Sequence, residues 1–146
     1  MQDNGLSLYQ ELTETILGCC FDVINELGVG FLESVYKNAL LIALKEKGLQ
    51  VDVEKRFEVI FRKRNIGSYI ADLVVEEKVI IELKCCKSLL DEHQAQLINY
   101  LKVSNILVGL LVNFRKRMLE YKRVHHPDHH AACDPVHLVP PIRQQR

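Results

Sequence analysis

The chain has no tryptophan, few other aromatic residues and no excess charge of either sign. Its 19 Lys and Arg residues balance 19 Asp and Glu residues, which argues against a surface that is basic all over but permits a local basic groove. The longest apolar run, Ile106–Val112, is far shorter than the roughly 20 residues of a membrane span. The first residues lack the basic stretch followed by an apolar stretch that is typical of a secretory signal. We therefore expect a cytoplasmic protein without a membrane partner.

The cysteines do not form a pattern typical of a metal site or a disulfide framework. They occur as Cys19-Cys20, Cys85-Cys86 and a single Cys133, and none has the C-x-x-C spacing of zinc or iron–sulfur ligands. We therefore expect reduced thiols that are buried as small apolar side chains.

Proline is absent from the first 124 residues. All four prolines and five of the six histidines follow Val124. This change of composition predicts one domain over residues 1–124, which is long enough to bury a core, and a His- and Pro-rich tail over residues 125–146. The histidine spacing in the tail matches no defined finger, so any zinc or nickel binding there is expected to be incidental.

The periodicity of apolar residues predicts the element order α-α-β-β-β-α-β with a possible final edge strand. The first helix runs from about Leu12 to Leu27 and stops at Gly28. The second covers residues 32–47 and is predicted to turn Val35, Ala39, Ile42 and Ala43 inward. The later elements are predicted as strands at 51–61, 69–75, 79–83 and 106–114, a helix at 91–103, and a weak strand at 118–124. This order indicates an α/β chain of the α+β type with a mixed sheet.

The two β-rich runs around residues 72–84 are the most informative segment. Glu82 and Lys84 are two apart on one strand, so they share a face. Asp72 joins that face only if a three-residue loop pairs Val75 with Val79, because a two-residue loop would place Glu82 on the opposite face. The sequence leaves both registers open.

Adjacent carboxylates on such a hairpin favour a hard divalent cation, Mg²⁺ or Mn²⁺, completed by water and substrate phosphate. A neighbouring lysine can orient or help to deprotonate an attacking water, or stabilise charge on phosphorus. An ordinary hairpin with solvent-facing charges is an equally good interpretation of Asp72, Glu82 and Lys84 alone.

Three further polar side chains could complete such a site. Gln96 and Tyr100 are neighbours at i and i+4 of the third helix and can bind a substrate backbone and a metal-bound water, although a water-exposed boundary helix explains them as well. Glu33 lies near the start of the second helix, where the helix dipole alone explains a carboxylate, or where it serves as a third acid of the metal site.

The segment Gly30-x-x-Glu33-x-x-Tyr36 resembles the signature of the GxxExxY family of the PD-(D/E)XK nuclease superfamily. The family's Ala-Asp-Leu, Glu-x-Lys and Gln-x-x-x-Tyr motifs resemble residues 71–73, 82–84 and 96–100, and the resemblance covers about residues 11–115. One departure is Ala71, where some relatives have a proline that contributes no ligand. The resemblance implies a restriction-endonuclease-like core in which Asp72 and Glu82 are metal ligands, Lys84 is the catalytic lysine, Glu33 is an auxiliary acid and Gln96 and Tyr100 shape the site.

The expected function is a metal-dependent nuclease that hydrolyses phosphodiester bonds of nucleic acid, with DNA as the expected substrate and Mg²⁺ or Mn²⁺ as cofactor. The alternative is a catalytically silent nucleic-acid-binding or protein-interaction module that retains the nuclease fold. A homodimer is a further expectation, because a small domain often grips a duplex with a second copy. Candidate phosphate contacts are the basic clusters at 55–56, 62–64, 115–117 and 122–123.

Overall fold

The helices and strands follow the predicted order, including the final strand. A computed structural model describes residues 9–128, so the predictions for Cys133 and most of the tail lie outside the described residues. The helices are α1 (Gln10–Leu27), α2 (Glu33–Glu46) and α3 (Asp91–Ser104), and the strands are β1 (Val51–Phe61), β2 (Arg64–Val75), β3 (Val79–Lys84), β4 (Val108–Asn113) and β5 (Glu120–His125). None of the helices within this range is long and apolar enough to cross a membrane.

The five strands form one mixed sheet whose spatial order, β1-β2-β3-β4-β5, is also their order along the chain. Neighbours are antiparallel except β3 and β4, which are parallel and are connected through α3. Every residue of β4 is buried, because helices cover both faces of the sheet at this point. The predicted mixed α+β architecture is confirmed.

Two apolar cores hold the layers together. On one face, α1 and α2 pack against side chains such as Leu73, Ile81 and Leu110. On the other face, Leu97 of α3 packs against a smaller cluster that includes Ile80. Gly109 permits the close approach of α3, because a Cβ atom at that position would lie 2.9 Å from a methyl carbon of Leu97.

The predicted inward face of α2 is wrong in part. The fully buried side chains are Tyr36, Leu40 and Leu44, whereas Val35 and Ile42, both predicted to face inward, are 36% and 61% exposed. Ala39 and Ala43 do pack against the core, but only as partly buried residues. Apolar residues cover most of the circumference of α2, so periodicity alone could not show that the larger side chains at i, i+4 and i+8 face the sheet.

The cysteine prediction is confirmed for Cys19 and Cys20, which are buried on α1. Cys85 and Cys86 are also free thiols, but they are half-buried, so the prediction of burial is wrong for these two residues. These two residues follow β3, where the chain leaves the sheet, and the Asn113 side chain holds Cys86 by accepting from its N–H (3.1 Å) and donating to its carbonyl (2.8 Å).

Candidate active site

The β2–β3 hairpin has the odd-length loop that the functional hypothesis requires. Val75 pairs with Val79 and Leu73 with Ile81, so three residues form the loop. This register brings Asp72 opposite Glu82, as predicted for the three-residue loop.

The two carboxylates lie where β2 and β3 begin to separate, since the paired ladder ends at Leu73 and Ile81. The N–H of Asp72 donates to Glu82 Oε1 (3.0 Å), and the N–H of Leu83 donates to Asp72 Oδ2 (2.9 Å). Each carboxylate therefore takes the place of a ladder carbonyl on the opposite strand. These bonds fix both side chains and use one oxygen of each.

Burial and like charge act together on Glu82, which is only 6% exposed. Desolvation, followed by the charge of Asp72, raises the pKa of Glu82 to about 8, although the Asp72 N–H and the charge of Lys84 oppose this shift. At neutral pH and without a cation, the pair therefore retains a proton. A divalent cation would favour release of that proton, and two hard carboxylate oxygens are the donor type that Mg²⁺ and Mn²⁺ prefer.

Lys84 lies at the end of β3, two residues after Glu82 and on the same face, and it is half-buried. Its positive charge lowers the pKa of Glu82 and that of Glu33. The side chain therefore lies within electrostatic reach of both acids.

Glu33 is the first residue of α2 and approaches the pair from the helix layer. Desolvation, followed by the charge of Asp72, raises the pKa of Glu33, while Lys84 and the N–H of Cys85 lower it. Between residues 9 and 128, no group of three or more His, Cys, Asp or Glu residues is arranged to hold a metal ion. The protein thus offers the Asp72–Glu82 pair with Glu33 nearby, and a bound ion would complete its shell with water or substrate oxygens.

The turn before Glu33 is fixed by the other residues of the Gly30-x-x-Glu33-x-x-Tyr36 motif. Gly30 has φ 103°, a conformation that disfavours side chains. The buried Tyr36 hydroxyl donates to the carbonyl of Gly28 (2.7 Å) and accepts from the N–H of Phe31 (3.2 Å). Its ring stacks on Phe114 with centroids 5.1 Å apart. The motif therefore positions Glu33 at the edge of the site.

Tyr100 reaches the carboxylates from α3, on the other layer. Desolvation, followed by the charges of Glu82 and Asp72, raises the pKa of Tyr100 to about 12. Its hydroxyl therefore remains a hydrogen-bond donor at all physiological pH values. Gln96 lies one turn earlier on the same helix and is exposed.

Lys37 and Glu54 also belong to this region, although sequence analysis did not select them. Lys37 Nζ lies 2.6 Å from Glu54 Oε1, and this hydrogen bond, with smaller contributions from the charges of Asp72 and Glu33, raises the pKa of Lys37. Lys37 is at i+4 from Glu33, a spacing that could have indicated it. Glu54 has φ 51° and stands across from Asp72, between the pairs Val53–Leu73 and Lys55–Ala71. Only the tertiary structure shows that position.

One of the predicted phosphate contacts is instead part of the structure. Arg123 is 7% exposed and donates to the Gln10 side chain (2.7 Å) and to the Thr13 hydroxyl (3.3 Å). It ties β5 to α1 and is not available to a nucleic acid.

Comparison with known proteins shows similarity in sequence and in fold. The family model described as the PD-(D/E)XK nuclease superfamily matches residues 10–124, which include every side chain of the candidate site. A solved structure described as "Crystal structure of SSO0001" is similar, with a TM-score of 0.51 and 20% sequence identity. The similarity covers 87% of this chain but only 63% of that one, and at this identity it shows the fold alone. No curated protein matches the chain.

Proposed function

Since the chain belongs to the PD-(D/E)XK nuclease superfamily, we propose that it is a metal-dependent nuclease that hydrolyses phosphodiester bonds, with DNA as substrate. The observation that carries the proposal is the hairpin register, which sets Asp72 beside Glu82 and places Lys84 on the same face. We also propose membership of the narrower GxxExxY family, because Gly30, Glu33 and Tyr36 have the distinct structural roles described above.

Asp72 and Glu82 are the residues that would hold the metal, and members of the superfamily generally use divalent ions. Mg²⁺ is the expected ion and Mn²⁺ the alternative. When bound, such an ion polarises the phosphate and lowers the pKa of a water molecule. Placing two like charges together in a largely buried position is unfavourable for the metal-free protein. Neutral acceptors could satisfy the same two backbone N–H groups, so a hairpin with only a structural role would not need two carboxylates, whereas a cation site does.

The remaining side chains have complementary roles in this proposal. Lys84 orients the attacking water or stabilises negative charge that develops on the phosphate. Tyr100, which stays protonated, donates a hydrogen bond to a phosphate oxygen or to water. Glu33, whose pKa is raised by desolvation and by the charge of Asp72, serves as an auxiliary acid or base beside the metal ligands. Gln96 lies one turn before Tyr100 on α3. Its side chain is exposed, and there it would contact the substrate.

The first test is Asp72→Asn, which keeps the shape of the side chain and removes its charge. We expect calorimetric Mg²⁺ or Mn²⁺ binding to disappear and DNA cleavage to fall about 100-fold or more, since even outer-shell changes at metal sites cost 10- to 100-fold. Asp52→Asn is the matched control, because Asp52 is an exposed β1 residue paired with Lys55. It should leave both measurements unchanged.

Cleavage that survives Asp72→Asn would contradict the proposed site. If the unmodified protein binds nucleic acid but cleaves no DNA or RNA substrate with either metal, the chain is the catalytically silent module instead.

A further inference from the structure

The hairpin formed by β1 and β2 continues well beyond the rest of the sheet. β3 pairs with β2 only over Leu73–Val75, so residues 64–71 of β2 pair with β1 alone. At ~3.3 Å per residue this segment extends by about 25 Å from the point where the strands separate at Asp72. We call residues 55–71 the β-ribbon.

The base of the β-ribbon adjoins the candidate active site. Tyr69 packs against Tyr100 with ring centroids 5.0 Å apart, and Phe57 joins the same core. Beyond this contact the side chains of residues 60–68 are exposed. Any polymer that lies in the active site and continues toward the turn of the hairpin therefore passes along the β-ribbon.

The β-ribbon is strongly basic although the chain as a whole is neutral. It carries five Lys or Arg residues against one acid, Glu58. Three of the five cations, Arg62, Lys63 and Arg64, are consecutive at the turn. Such a concentration of positive charge beside the proposed catalytic carboxylates is complementary to a polyanion.

The turn keeps its cations in an unfavourable backbone conformation. Arg62 (φ 49°) and Lys63 (φ 66°) form the two-residue loop between the paired residues Phe61 and Arg64. Both positions of such a loop favour Asn and Gly, which tolerate positive φ. The Arg62 guanidinium lies over the Phe61 ring, 4.9 Å from its centroid, which gives this side chain a local contact. Among the described residues Lys63 has no such contact, and departures from the preferred turn residues tend to occur where function requires them.

We propose that the β-ribbon binds the sugar–phosphate backbone of duplex nucleic acid next to the scissile bond, an inference that rests on the proposed nuclease function. A two-stranded ribbon has the dimensions to enter a major groove. Ile60, Phe61 and Ile66 are also exposed at its far end, but pairing with the ribbon of a second copy would bring two ribbons of net positive charge together. Charge therefore favours nucleic acid over self-association.

The test replaces the turn by the dipeptide that its backbone prefers. The double variant Arg62→Asn, Lys63→Gly removes two charges and should maintain or raise the unfolding temperature, so that weaker binding cannot be ascribed to unfolding. Its matched control is the double variant Lys45→Gln, Lys47→Gln, which removes two charges at the far end of α2 from Glu33.

Binding of a labelled duplex of about 30 base pairs is measured by fluorescence anisotropy at salt concentrations from 50 to 200 mM. The buffer contains EDTA, so that no cleavage occurs.

We expect the affinity of the turn variant to fall about tenfold at 0.1 M salt. The slope of log K against log[salt] should fall in magnitude by about 2, because two phosphates are no longer neutralised by the protein. The control should retain affinity and slope. Three results would overturn the inference: an equal decrease in duplex affinity in the turn variant and the control, no decrease in either of them, or no duplex binding by the unmodified protein. A concentration-dependent dimer that the turn variant abolishes would overturn it in favour of self-association.

These outcomes are separable from the proposed catalysis. If Asp72→Asn abolishes cleavage while the turn variant binds normally, the nuclease proposal stands and the β-ribbon inference fails. If the turn variant binds the duplex poorly but the unmodified protein never cleaves, the β-ribbon does bind the nucleic-acid backbone, and the nuclease proposal fails together with the reference to a scissile bond.

Discussion

The side chains of Glu82 and Asp72 accept hydrogen bonds from backbone N–H groups, although the proximity of their two negative charges is electrostatically unfavourable. Each carboxylate accepts a hydrogen bond from the opposite strand, so both backbone N–H groups keep a partner where the strands separate. The same position brings the two acids together in a site of low polarity, which raises the pKa of Glu82. The hairpin is therefore more stable with one proton, or one cation, than with two free charges.

The pH dependence of metal-free stability should reveal this pair. Between about pH 4.5, the ordinary pKa of Glu, and about pH 8, the native protein binds a proton that the unfolded chain has released. The free energy of unfolding should therefore fall as pH rises through this window, because loss of the proton from Glu82 is less favourable in the native protein than in the unfolded chain.

Urea unfolding in EDTA at several pH values from 5 to 9 measures this dependence. Glu82→Gln should flatten the fall, and Glu58→Gln, at an exposed β1 position, should not. If the free energy of unfolding of both variants has the same pH dependence as that of the unmodified protein, Asp72 and Glu82 are not coupled.

Tyr36 and Glu33 should behave as one unit. Tyr36→Phe removes the buried hydroxyl that holds Gly28 and Phe31, and we expect it to lower stability by about 1–2 kcal/mol. Because the turn before Glu33 then loosens, cleavage should fall while metal affinity is retained. Glu33→Gln should reduce cleavage directly.

Cleavage rates of both single variants and of the double variant test this coupling. The double variant should be no slower than the slower single variant, since Tyr36 is expected to act through Glu33. Decreases that multiply would show that the two residues act independently.

At the level of elements, the β2–β3 loop determines whether a site exists. Its first two residues, Glu76 and Glu77, have φ 53° and 55°. Glu76 is held there by Gln50, whose N–H donates to Glu76 Oε2 (2.7 Å) and whose carbonyl accepts from the Glu76 N–H (2.8 Å). The conformation of this loop, and with it the register of Asp72 and Glu82, is thus supported by a residue that precedes β1.

Glu77→Gly should therefore stabilise the protein, by about 1 kcal/mol, because glycine adopts positive φ without the steric cost that other residues pay. Thermal and urea unfolding measure the change, and metal binding should be unaffected. Glu76→Gly relieves the same backbone conformation but removes the carboxylate that accepts from Gln50, so we expect it to be neutral or destabilising. An equal gain from both variants would mean that this hydrogen bond contributes nothing.

How far the sequence predicts an element depends on how local its determinants are. The order of elements follows from apolar periodicity. The register of β2 and β3 stays open in the sequence, because it depends on a loop length that only the structure shows to be three residues. The sequence pattern underestimates the length of β2, because it predicts a strand from Tyr69 whereas the strand begins at Arg64. Residues 64–68 are exposed on a ribbon, so they carry none of the alternation that burial imposes on a strand.

At the scale of the whole molecule, the candidate site is assembled from both helix layers at one end of the sheet. Asp72, Glu82 and Lys84 come from one hairpin and were predicted from sequence. Lys37 and Glu54 meet through tertiary packing between α2 and β1, and no sequence motif specifies that contact. The roles assigned to all six candidate residues remain predictions. Glu33 and Tyr100 have an electrostatic link to the carboxylates in the structure, whereas Gln96 has none that indicates its role.

The agreement between the order of the strands in space and their order along the chain has a kinetic consequence. Neighbouring strands are joined by short connections, apart from the α3 crossover, so folding requires the closure of few long loops. Pairings between strands that are close in sequence form faster than contacts such as that between Arg123 and Gln10, which joins the two ends of the described chain. The hairpin that bears Asp72 and Glu82 is among the most local contacts in the sheet, so their mutual repulsion would already be felt as the hairpin closes. We expect mildly acidic conditions, in which one proton is shared, to speed refolding.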